Sequence, residues 1–566
     1  QHLDQFVERQ VQDKNHDHFD YIVVGAGSAG CVLANRLTEN GNTRTLLLEA
    51  GGNDRSMLIH IPIGFSMLLR NPKVNWLYQT EADGSTNNRV HAWPRGKVLG
   101  GSSSINGLVY VRGQAADYDA WGQLGLPGWG WDEVLPYFMK AEHQEREDLS
   151  EQGHGKAGPL TISEVIEKGL VSDACIDAFA QAGVPPNHDL NSGNQEGVNY
   201  FPITVKNGRR ASTAVAYLNP AKQRSNLRVE VNAMATRVLF EGKRAVGIQS
   251  RQDNQLKTAY ANKEVILSGG AVNSPQLLEL SGVGQPNLLN SLGIDLVHAL
   301  PGVGENLQDH YSVSTCYRLL DGTPSINTQS RGLALFGEVL KFFTRRRGLL
   351  TNPAALVAGF ARTRAELATP DVQFHVLPGS FDAEKVRTTG KVALDAYPGL
   401  LIQACQLRPE SRGTIHISSA DPNVHPSIVP NYLSDSLDQQ TIIAGIRLAQ
   451  KVAQQPALRP YVREQTIPSG QIQTDAEILD FCRATGNPIY HSVGTCKMGA
   501  NSDETAVVDS NLRVLGMEHL RVVDASVMPR LISGNTNAAT IMLAEKSADI
   551  IKANTYDQYS NRENHL

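Results

Sequence analysis

Residues 25–30 of this 566-residue sequence read Gly-Ala-Gly-Ser-Ala-Gly, a G-x-G-x-x-G pattern directly after a short apolar run. In such a turn Gly25 permits the tight bend, Gly27 lets the backbone approach a pyrophosphate, and Gly30 lets the next helix pack closely on the strand. The free N–H groups that open this helix attract phosphate oxygens. The predicted dinucleotide contacts in this turn are Gly25, Gly27, Ser28, Ala29 and Gly30.

Glu49 supplies the second part of a nucleotide fingerprint. It lies in the apolar run TLLLEA, about 20 residues beyond the glycine turn, where a carboxylate accepts hydrogen bonds from a ribose hydroxyl. The two apolar runs and the helical pattern between them predict a β-α-β unit. This unit accommodates FAD or NAD, so these residues alone do not choose between the two cofactors.

Short apolar strands of the same kind recur at 264–270 and 520–525, so pieces of one nucleotide-binding domain are spread along the whole chain. Between them, DVQFHVL (371–377) and TIHIS (414–418) alternate apolar and polar side chains. That alternation predicts an antiparallel sheet with one face in water. Isoleucines at helical spacing within 438–455 predict a helix. We therefore expect a second lobe inserted into the first.

Composition agrees with two lobes. The chain is 41% apolar and 19% charged, which is typical of a globular protein. Its 566 residues are too many for one compact core. A formal charge of −5 argues against a nucleic-acid partner, because phosphate binding needs a basic surface. The six cysteines are widely spaced. They predict reduced, mostly buried thiols, a reducing compartment and no metal site.

No apolar run approaches the roughly 20 residues that span a bilayer, so we expect a cytoplasmic protein. The polar residues 1–17 and 554–566 are expected to be flexible tails, and the start at Gln1 leaves a preceding segment open. The segment 333–348, LALFGEVLKFFTRRRG, joins an apolar stretch to three arginines. It allows two interpretations: peripheral contact with the inner, anionic face of a membrane and its quinone pool, or a helix packed on the second lobe with solvated arginines.

Four further segments indicate which cofactor the chain binds. They read PRGKVLGGSSSINGLVYVRG (94–113), GGAVNSPQLLELSGVG (269–284), YHSVGTCKMG (490–499) and VVDASVMPRLISGNTNAATIMLAEKSADII (522–551). In this order they resemble the signature segments of the glucose–methanol–choline (GMC) oxidoreductases, and the resemblance extends over nearly the whole chain. The amino-acid sequence of these segments is most similar to that of bacterial choline-dehydrogenase-like and medium-chain alcohol dehydrogenases.

The resemblance implies an α/β fold: a Rossmann-like FAD-binding domain with an inserted α+β substrate-binding domain built on an antiparallel sheet. The FAD-binding domain is expected to be discontinuous, at 18–163, 203–310 and 463–553. The substrate-binding domain is expected at 164–202 and 311–462.

The resemblance also implies the remaining FAD contacts. Beside the flavin and its phosphates it places Val98, Gly101, Ser102, Asn106, Gly107, Leu108 and Val109. It places Ala235 and Gly270 toward the adenosine, Asp524 and Ala525 at the pyrophosphate, and Tyr490, Thr536 and Asn537 around the flavin ring. Some members tether FAD through a histidine where this chain has Ile105, so non-covalent FAD is expected.

Two residues align with the family's catalytic positions. His491 matches the general base, and Asn535 matches a second position that is histidine or asparagine. Oxidising an alcohol requires an acceptor for the hydroxyl proton, which suits histidine near neutral pH, and a fixed donor for the developing alkoxide. The resemblance therefore implies oxidation of a primary alcohol to an aldehyde, with hydride passing to flavin N5 and onward oxidation to the acid left open.

The sequence carries fewer signals for the substrate and for the electron acceptor. Quaternary ammonium groups need an aromatic cage or a carboxylate, and aromatic residues make up only 6% of the chain, so a neutral small-molecule alcohol is favoured. Electrons are expected to pass to a quinone-like acceptor or O2, with a dehydrogenase favoured over an oxidase. The oligomeric state is left open. Choline dehydrogenase or oxidase activity and a flavin-containing hydroxynitrile lyase remain alternatives. His491 argues against a photodecarboxylase, and the flavin-side segments argue against an NAD-dependent dehydrogenase.

Overall fold

The computed structural model describes residues 17–382, 384–385, 393–470 and 472–563, with the backbone alone for 555–563. The expected leader thus lies outside the described residues except for Asp17, and so do 564–566. The last helix, Asn537–Glu563, continues through most of the segment for which we expected a flexible tail. No glycine or proline occurs in that segment to end the helix.

A seven-stranded mixed sheet forms the first lobe. Its parallel strands, in spatial order, are Leu227–Glu230, Thr45–Leu48, His18–Val24, Gln255–Leu267 and Leu520–Val522. Two antiparallel strands, Met234–Glu241 and Arg244–Gln252, extend the sheet beside Gln255–Leu267. The carboxyl ends of parallel strands meet at one edge of a sheet. This edge therefore collects the glycine turn, Glu49, Gly270 and Asp524.

Two long helices cover this sheet and begin at the same edge. Ser28–Thr38 starts within the glycine turn, and nine of its eleven residues are buried. It packs against Asn537–Glu563, and Arg36 forms two hydrogen bonds, of 2.8 and 2.7 Å, with the buried carboxylate of Glu545 on that helix. The first and last described segments of the chain therefore pack together in this lobe.

A second seven-stranded sheet, entirely antiparallel, forms the other lobe. Its strands are Gly197–Tyr200, Tyr311–Leu319, Val357–Ala361, Val372–Leu377, Gly399–Gln406, Val462–Ile467 and Asn487–Pro488. The helices Leu170–Ala182, Ser436–Ala453 and Asp475–Thr485 lie beside it. The sequence predicts that the substrate-binding domain ends at residue 462, where the strand Val462–Ile467 begins. The strand Asn487–Pro488 also joins this sheet, although it lies in the segment predicted for the FAD-binding domain.

The expectation of a water-exposed face on DVQFHVL is wrong. Val372 and Phe374 face the helices, since Gly445 of Ser436–Ala453 lies over Val372 and the Phe179 and Phe374 rings are 5.2 Å apart. The alternate residues, Gln373 and His375, are also buried. The polar side of this strand is covered by the other lobe, so alternation here marks an internal polar surface.

The segment TIHIS does not join this sheet. Thr414–His416 pairs only with Ser427–Val429 in a separate two-stranded sheet. His416 lies between the carboxylates of Glu279 and Glu305, at 2.6 and 3.1 Å, so its polar side chain is committed to an ion cluster.

Shorter elements complete the two lobes. The remaining α-helices of four or more residues are Met57–His60, Phe65–Leu68, Ala115–Gln123, Trp131–Ala141, Gly270–Leu280, Pro286–Ser291, Ile326–Gln329 and Gly332–Arg345. The remaining strands are Tyr78–Gln79, Ala92–Trp93, Glu142–Gln144, Leu160–Glu164, Pro202–Ile203, Val205–Lys206, Arg209–Arg210, Val283–Gly284 and His298–Ala299. All six cysteines are buried and unpaired. Within the described ranges, no helix is both long and apolar enough to cross a membrane.

The helix Gly332–Arg345 projects from the substrate-side lobe, and among its residues only Phe342 is fully buried. Leu333, Phe336, Leu340 and Phe343 form a stripe at helical spacing, and they are 89%, 68%, 54% and 50% exposed. Phe342 and the partly buried Val339 pack the helix against the core of this lobe, and Arg345 and Arg347 are exposed. A large part of the apolar surface faces outward.

Candidate active site

A cavity with a volume of about 400 Å³ lies between the two lobes and opens to solvent. That volume is within the range of about 300–1,000 Å³ typical of small-molecule and cofactor sites. Of the predicted site residues, the following line it: Gly25, Gly27, Ser28, Ala29, Glu49, Gly101, Ser102, Asn106, Gly107, Leu108, Val109, Ala235, Gly270, Tyr490, His491, Asp524, Ala525, Asn535, Thr536 and Asn537.

Gly30 and Val98 are the two predicted residues that do not line the cavity. A Cβ on Gly30 would lie 1.8 Å from the carbonyl oxygen of Gly25, so this glycine permits the close packing of helix on turn. Val98 packs in a small apolar cluster with Ile105, and its carbonyl accepts a hydrogen bond from the N–H of Gly101 at 2.7 Å. Both residues support the cavity wall from behind.

Glu49 braces the nucleotide end of the cavity. Its two carboxylate oxygens accept hydrogen bonds from the N–H of Ala26 at 2.9 Å and from the N–H of Gly51 at 2.8 Å. Burial raises the pKa of this carboxyl to about 7, although the two N–H donors oppose the shift. Each oxygen keeps a lone pair for a ribose hydroxyl.

Three helix N-termini meet at the cavity, those of Ser28–Thr38, Gly270–Leu280 and Asn537–Glu563. Their free N–H groups favour anionic ligands. A Cβ added at Gly27 or Gly270 would meet no atom within 4 Å, so open space lies directly beside the backbone at both positions. These helix ends, this space and Glu49 fit the pyrophosphate and ribose of FAD.

Asp524 organises this end through its side chain. Its Oδ2 atom accepts hydrogen bonds from the Gly270 N–H at 2.9 Å and from the Ser274 hydroxyl at 2.6 Å. Burial raises the pKa of the Asp524 carboxyl. The carboxylate is thus occupied by protein donors, which leaves the backbone at 524–525 to face a pyrophosphate.

The middle of the cavity is formed by the segment that follows Gly101. Gly101 has φ +52°, and a Cβ there would lie 2.6 Å from the Cα of Gly27, so two glycines let this segment touch the nucleotide turn. The Asn106 side-chain oxygen accepts hydrogen bonds from the Leu108 N–H and from the buried Arg210. Ile105 lines the cavity and offers no nucleophile, so the flavin is held without a covalent bond at this position.

His491 and Asn535 lie together at the other end. The Asn535 side-chain nitrogen is 3.1 Å from Nε2 of His491. The Asn535 oxygen accepts a hydrogen bond from the side-chain nitrogen of Gln373 at 3.2 Å. Gln373 thereby directs the Asn535 N–H groups toward His491 and the cavity.

The environment of His491 keeps its imidazole neutral. Burial is the largest influence and lowers the pKa of His491 well below 6.5; nearby His310, His375 and Arg95 lower it further. A neutral imidazole can accept a proton at once, which is the state a general base requires.

The loop around His491 is fixed by two charged residues. Arg95 donates a hydrogen bond to the carbonyl of Tyr490 at 2.7 Å, and Tyr490 has φ +69°, an uncommon conformation outside glycine. Asp309 accepts a hydrogen bond from the backbone N–H of His491 at 2.6 Å. The loop is therefore held through its backbone.

Sequence reasoning missed the polar residues of the substrate-side lobe that surround His491. Gln373, His375 and Gln403 come from two neighbouring strands, with His375 directly opposite Gln403. Asp309 and His310 precede a third strand. The alternation in DVQFHVL is the available signal, but alternation alone predicts a solvent-exposed face. For Asp309 and His310 no pattern in the sequence stood out.

Comparison with known proteins finds similarity over most of the chain. Two family models described as GMC oxidoreductase match residues 19–312 and 409–544. An alcohol dehydrogenase (acceptor) from Pseudomonas putida is 44% identical over 540 residues, covering 94% of this chain and 95% of that protein. Mitochondrial choline dehydrogenase from Mus musculus is 43% identical over 554 residues, covering 96% and 91%. The crystal structure of pyridoxine 4-oxidase from Mesorbium loti has a TM-score of 0.84 and 29% identity, covering 94% of this chain and 98% of that one.

Proposed function

The chain belongs to the GMC oxidoreductase family of FAD-dependent enzymes that act on alcohol groups, and from this premise we propose that it oxidises a neutral primary alcohol to the aldehyde. The observation that carries the proposal is the pairing of His491 with Asn535 in a cavity whose described lining residues include no carboxylate at this end. Bound FAD supplies the hydride acceptor.

In the proposed reaction, Nε2 of His491 takes the proton of the substrate hydroxyl. The Asn535 amide donates a hydrogen bond to the same oxygen while negative charge develops on it. A preorganised donor in a buried site stabilises such charge without reorganising at the moment of reaction. Gln373 keeps the amide in the required orientation through its 3.2 Å hydrogen bond.

The charges around the cavity favour a neutral substrate. Among the described residues that line it, the only carboxylates are Glu49 and Asp524, and both serve the nucleotide end. Arg95 also lines the cavity and interacts electrostatically with His491. A quaternary ammonium group would meet this positive charge. Among the described residues that line the cavity, the aromatic side chains besides histidine are Phe65, Trp76 and Tyr490, and of these Tyr490 is the one next to His491 in the chain. An aromatic cage or a carboxylate is the usual recognition for such a cation.

A substrate panel with the purified flavoprotein tests this proposal. The enzyme is mixed anaerobically with aliphatic and aryl primary alcohols or with choline, and loss of the oxidised-flavin absorbance is followed. We expect the neutral alcohols to reduce the flavin far faster than choline. Faster reduction by choline would overturn the substrate class. Absence of reduction by any alcohol, with cleavage of a hydroxynitrile, would identify a lyase.

We further propose a quinone-like acceptor reached at an anionic membrane surface through the helix Gly332–Arg345. Its exposed apolar stripe is followed by Arg345 and Arg347, both exposed. Apolar side chains beside exposed arginines match the acyl boundary and anionic headgroups of a bilayer. The adjoining turn Leu349–Thr351 contacts Pro62–Gly64, and the next residue, Phe65, lines the cavity. The helix therefore lies next to a segment of the cavity wall.

Sedimentation with vesicles tests the surface. We expect binding to phosphatidylglycerol vesicles and weak binding to phosphatidylcholine vesicles. Changing Leu333, Phe336, Leu340 and Phe343 to serine should abolish binding, and Leu256→Ser, at another exposed leucine, should not affect it. Equal binding by the quadruple variant would contradict the proposal. So would a wild-type dimer in solution that the four substitutions convert to monomers, because the stripe would then be a contact between two copies of the chain. An assay that compares reduction of a short-chain quinone with oxygen consumption tests the acceptor.

A further inference from the structure

His310 contacts the proposed base on the side away from Asn535. Its Nδ1 atom lies 2.9 Å from Nδ1 of His491, and the two rings are nearly perpendicular, at 83°. Its Nε2 atom lies 3.0 Å from the carbonyl oxygen of Leu407. His310 is completely buried, so these are contacts of an enclosed group.

The contact with Leu407 determines which nitrogen of His310 carries hydrogen. A carbonyl oxygen only accepts hydrogen bonds, so Nε2 of His310 must be the donor. Burial lowers the pKa of His310 to about 4, which leaves one ring proton at neutral pH. Nδ1 of His310 therefore presents a lone pair.

The tautomer of His491 follows. Two neutral nitrogens 2.9 Å apart form a hydrogen bond only if one of them carries hydrogen. Because Nδ1 of His310 accepts, Nδ1 of His491 donates. The lone pair of His491 then lies on Nε2, which faces the N–H of Asn535. The partner of the second ring nitrogen decides the tautomer of a histidine.

We propose that His310 is a positioning residue that holds His491 in the tautomer whose Nε2 lone pair meets the substrate hydroxyl. This inference rests on the proposed role of His491 as base. When Nε2 takes the hydroxyl proton, Nδ1–H continues to donate to His310, and the hydrogen bond becomes charge-assisted. His310 itself neither gains nor loses a proton.

Among the charged and titratable groups near His491, His310 is the one that contacts Nδ1 of its ring. Asp309 accepts hydrogen bonds from the backbone N–H groups of both histidines and from the Tyr432 hydroxyl, so it binds their main chain and not the His491 ring. Arg95 and His375 influence His491 electrostatically, and neither has a hydrogen bond to its ring in the described structure. Of the titratable side chains, His310 makes the contact at Nδ1.

Nitrogen-15 NMR of histidine-labelled holoenzyme tests the inference without turnover. The ring signals of His491 are assigned by their loss in His491→Gln. We expect Nδ1 protonated and Nε2 unprotonated in the wild-type enzyme at pH 7.5. The opposite tautomer would overturn the inference, whereas failure of the proposed function would appear separately, as absent flavin reduction by alcohols.

Two variants at position 310 extend the test. His310→Leu removes the acceptor, and we expect a mixed tautomer with kcat reduced about 10- to 100-fold, a part of the 10²- to 10⁴-fold that a general base contributes, while KM changes little. His310→Asn keeps an oxygen acceptor near the Nδ1 position and should restore both the tautomer and most of kcat.

His91→Leu is the matched control. It also removes a buried imidazole, one that contacts Thr86, Tyr311 and Tyr432 and not His491. We expect it to leave the His491 signals unchanged. Equal loss of kcat in the leucine and asparagine variants at 310, with the wild-type tautomer retained in both, would reduce His310 to a packing residue.

Discussion

The hydroxyl of Ser28 donates a hydrogen bond of 2.8 Å to the side-chain oxygen of Asn537, a residue 509 positions later in the chain. Each residue opens a helix that begins at the cavity. Farther along the same helices, Arg36 pairs with the buried Glu545. Two N-termini are therefore held side by side, and the positive ends of both helix dipoles face the space that fits the FAD pyrophosphate and flavin.

The glycine turn gives the first prediction. Gly27→Ala should leave the flavin-free protein as stable as the wild type or about 0.4–1 kcal/mol more stable, because its φ of −78° suits alanine and a Cβ there meets nothing. The same Cβ would occupy the space of the pyrophosphate, so FAD affinity should fall. Urea unfolding and flavin titration measure the two effects.

Gly30→Ala is the matched variant, because its Cβ would lie 1.8 Å from a backbone oxygen. Here we expect loss of stability in the flavin-free protein as well, by about 1–3 kcal/mol or more. If both variants lost only FAD affinity, the assignment of Gly30 to helix packing would be incorrect.

The second prediction concerns pH. Glu49 has an ordinary pKa of 4.5 in the unfolded chain and a pKa of about 7 when buried in the folded, flavin-free protein. A raised pKa stabilises the folded state at low pH, and this contribution is lost as pH rises from 4.5 through 7. Between pH 5 and 8, the stability of flavin-free wild type relative to Glu49→Gln should fall by on the order of 3 kcal/mol.

Urea unfolding of both proteins across this range measures the difference. Asp309, with a pKa raised to about 6, has the same sign in both proteins and cancels in the comparison. Because ribose hydroxyls would donate to the ionised carboxylate, the FAD-loaded wild type should lose less stability over the same pH range. Parallel pH profiles of the two flavin-free proteins would show that burial of Glu49 does not raise its pKa.

The nucleotide half of the site could be read from the sequence because its signals are local. Gly25 to Gly30 and Glu49 lie in one β-α-β unit, where residue type and spacing carry the geometry. The substrate half depends on contacts between distant segments. Gln373, His310 and His491 come together only in the folded chain, where the two lobes pack against each other. Alternation in a strand reports that its faces differ, and it does not report that the polar face at His375 is internal. Likewise, the apolar stretch at 333–348 does not report that much of its apolar surface faces outward.

The third prediction concerns the base. His491→Gln should keep bound FAD and lower the rate of flavin reduction by alcohol about 10²- to 10⁴-fold. Because burial lowers the pKa of His491 below 6.5, the wild-type rate should be constant above pH 6.5 and fall only at lower pH, where Nε2 becomes protonated. Anaerobic stopped-flow between pH 5 and 9 tests both statements. A wild-type profile that still rises above pH 7 would assign the proton to another group.

The last prediction separates donor from base. Asn535→Asp removes the N–H donor and adds negative charge where alkoxide charge develops, so kcat should fall about 10²- to 10³-fold, the loss typical of one such donor. Asn535→His supplies a ring N–H at a position where the family also has histidine, and it should retain more activity. Gln373→Leu leaves Asn535 in place but frees its amide to rotate, since the 3.2 Å hydrogen bond to its oxygen is lost.

For Gln373→Leu we therefore expect a smaller decrease in kcat than for Asn535→Asp, and no further decrease when it is combined with Asn535→Asp. Steady-state kcat and KM for the three single variants and this double variant measure the coupling. Additive losses in the double variant would mean that Gln373 acts on the substrate independently of Asn535.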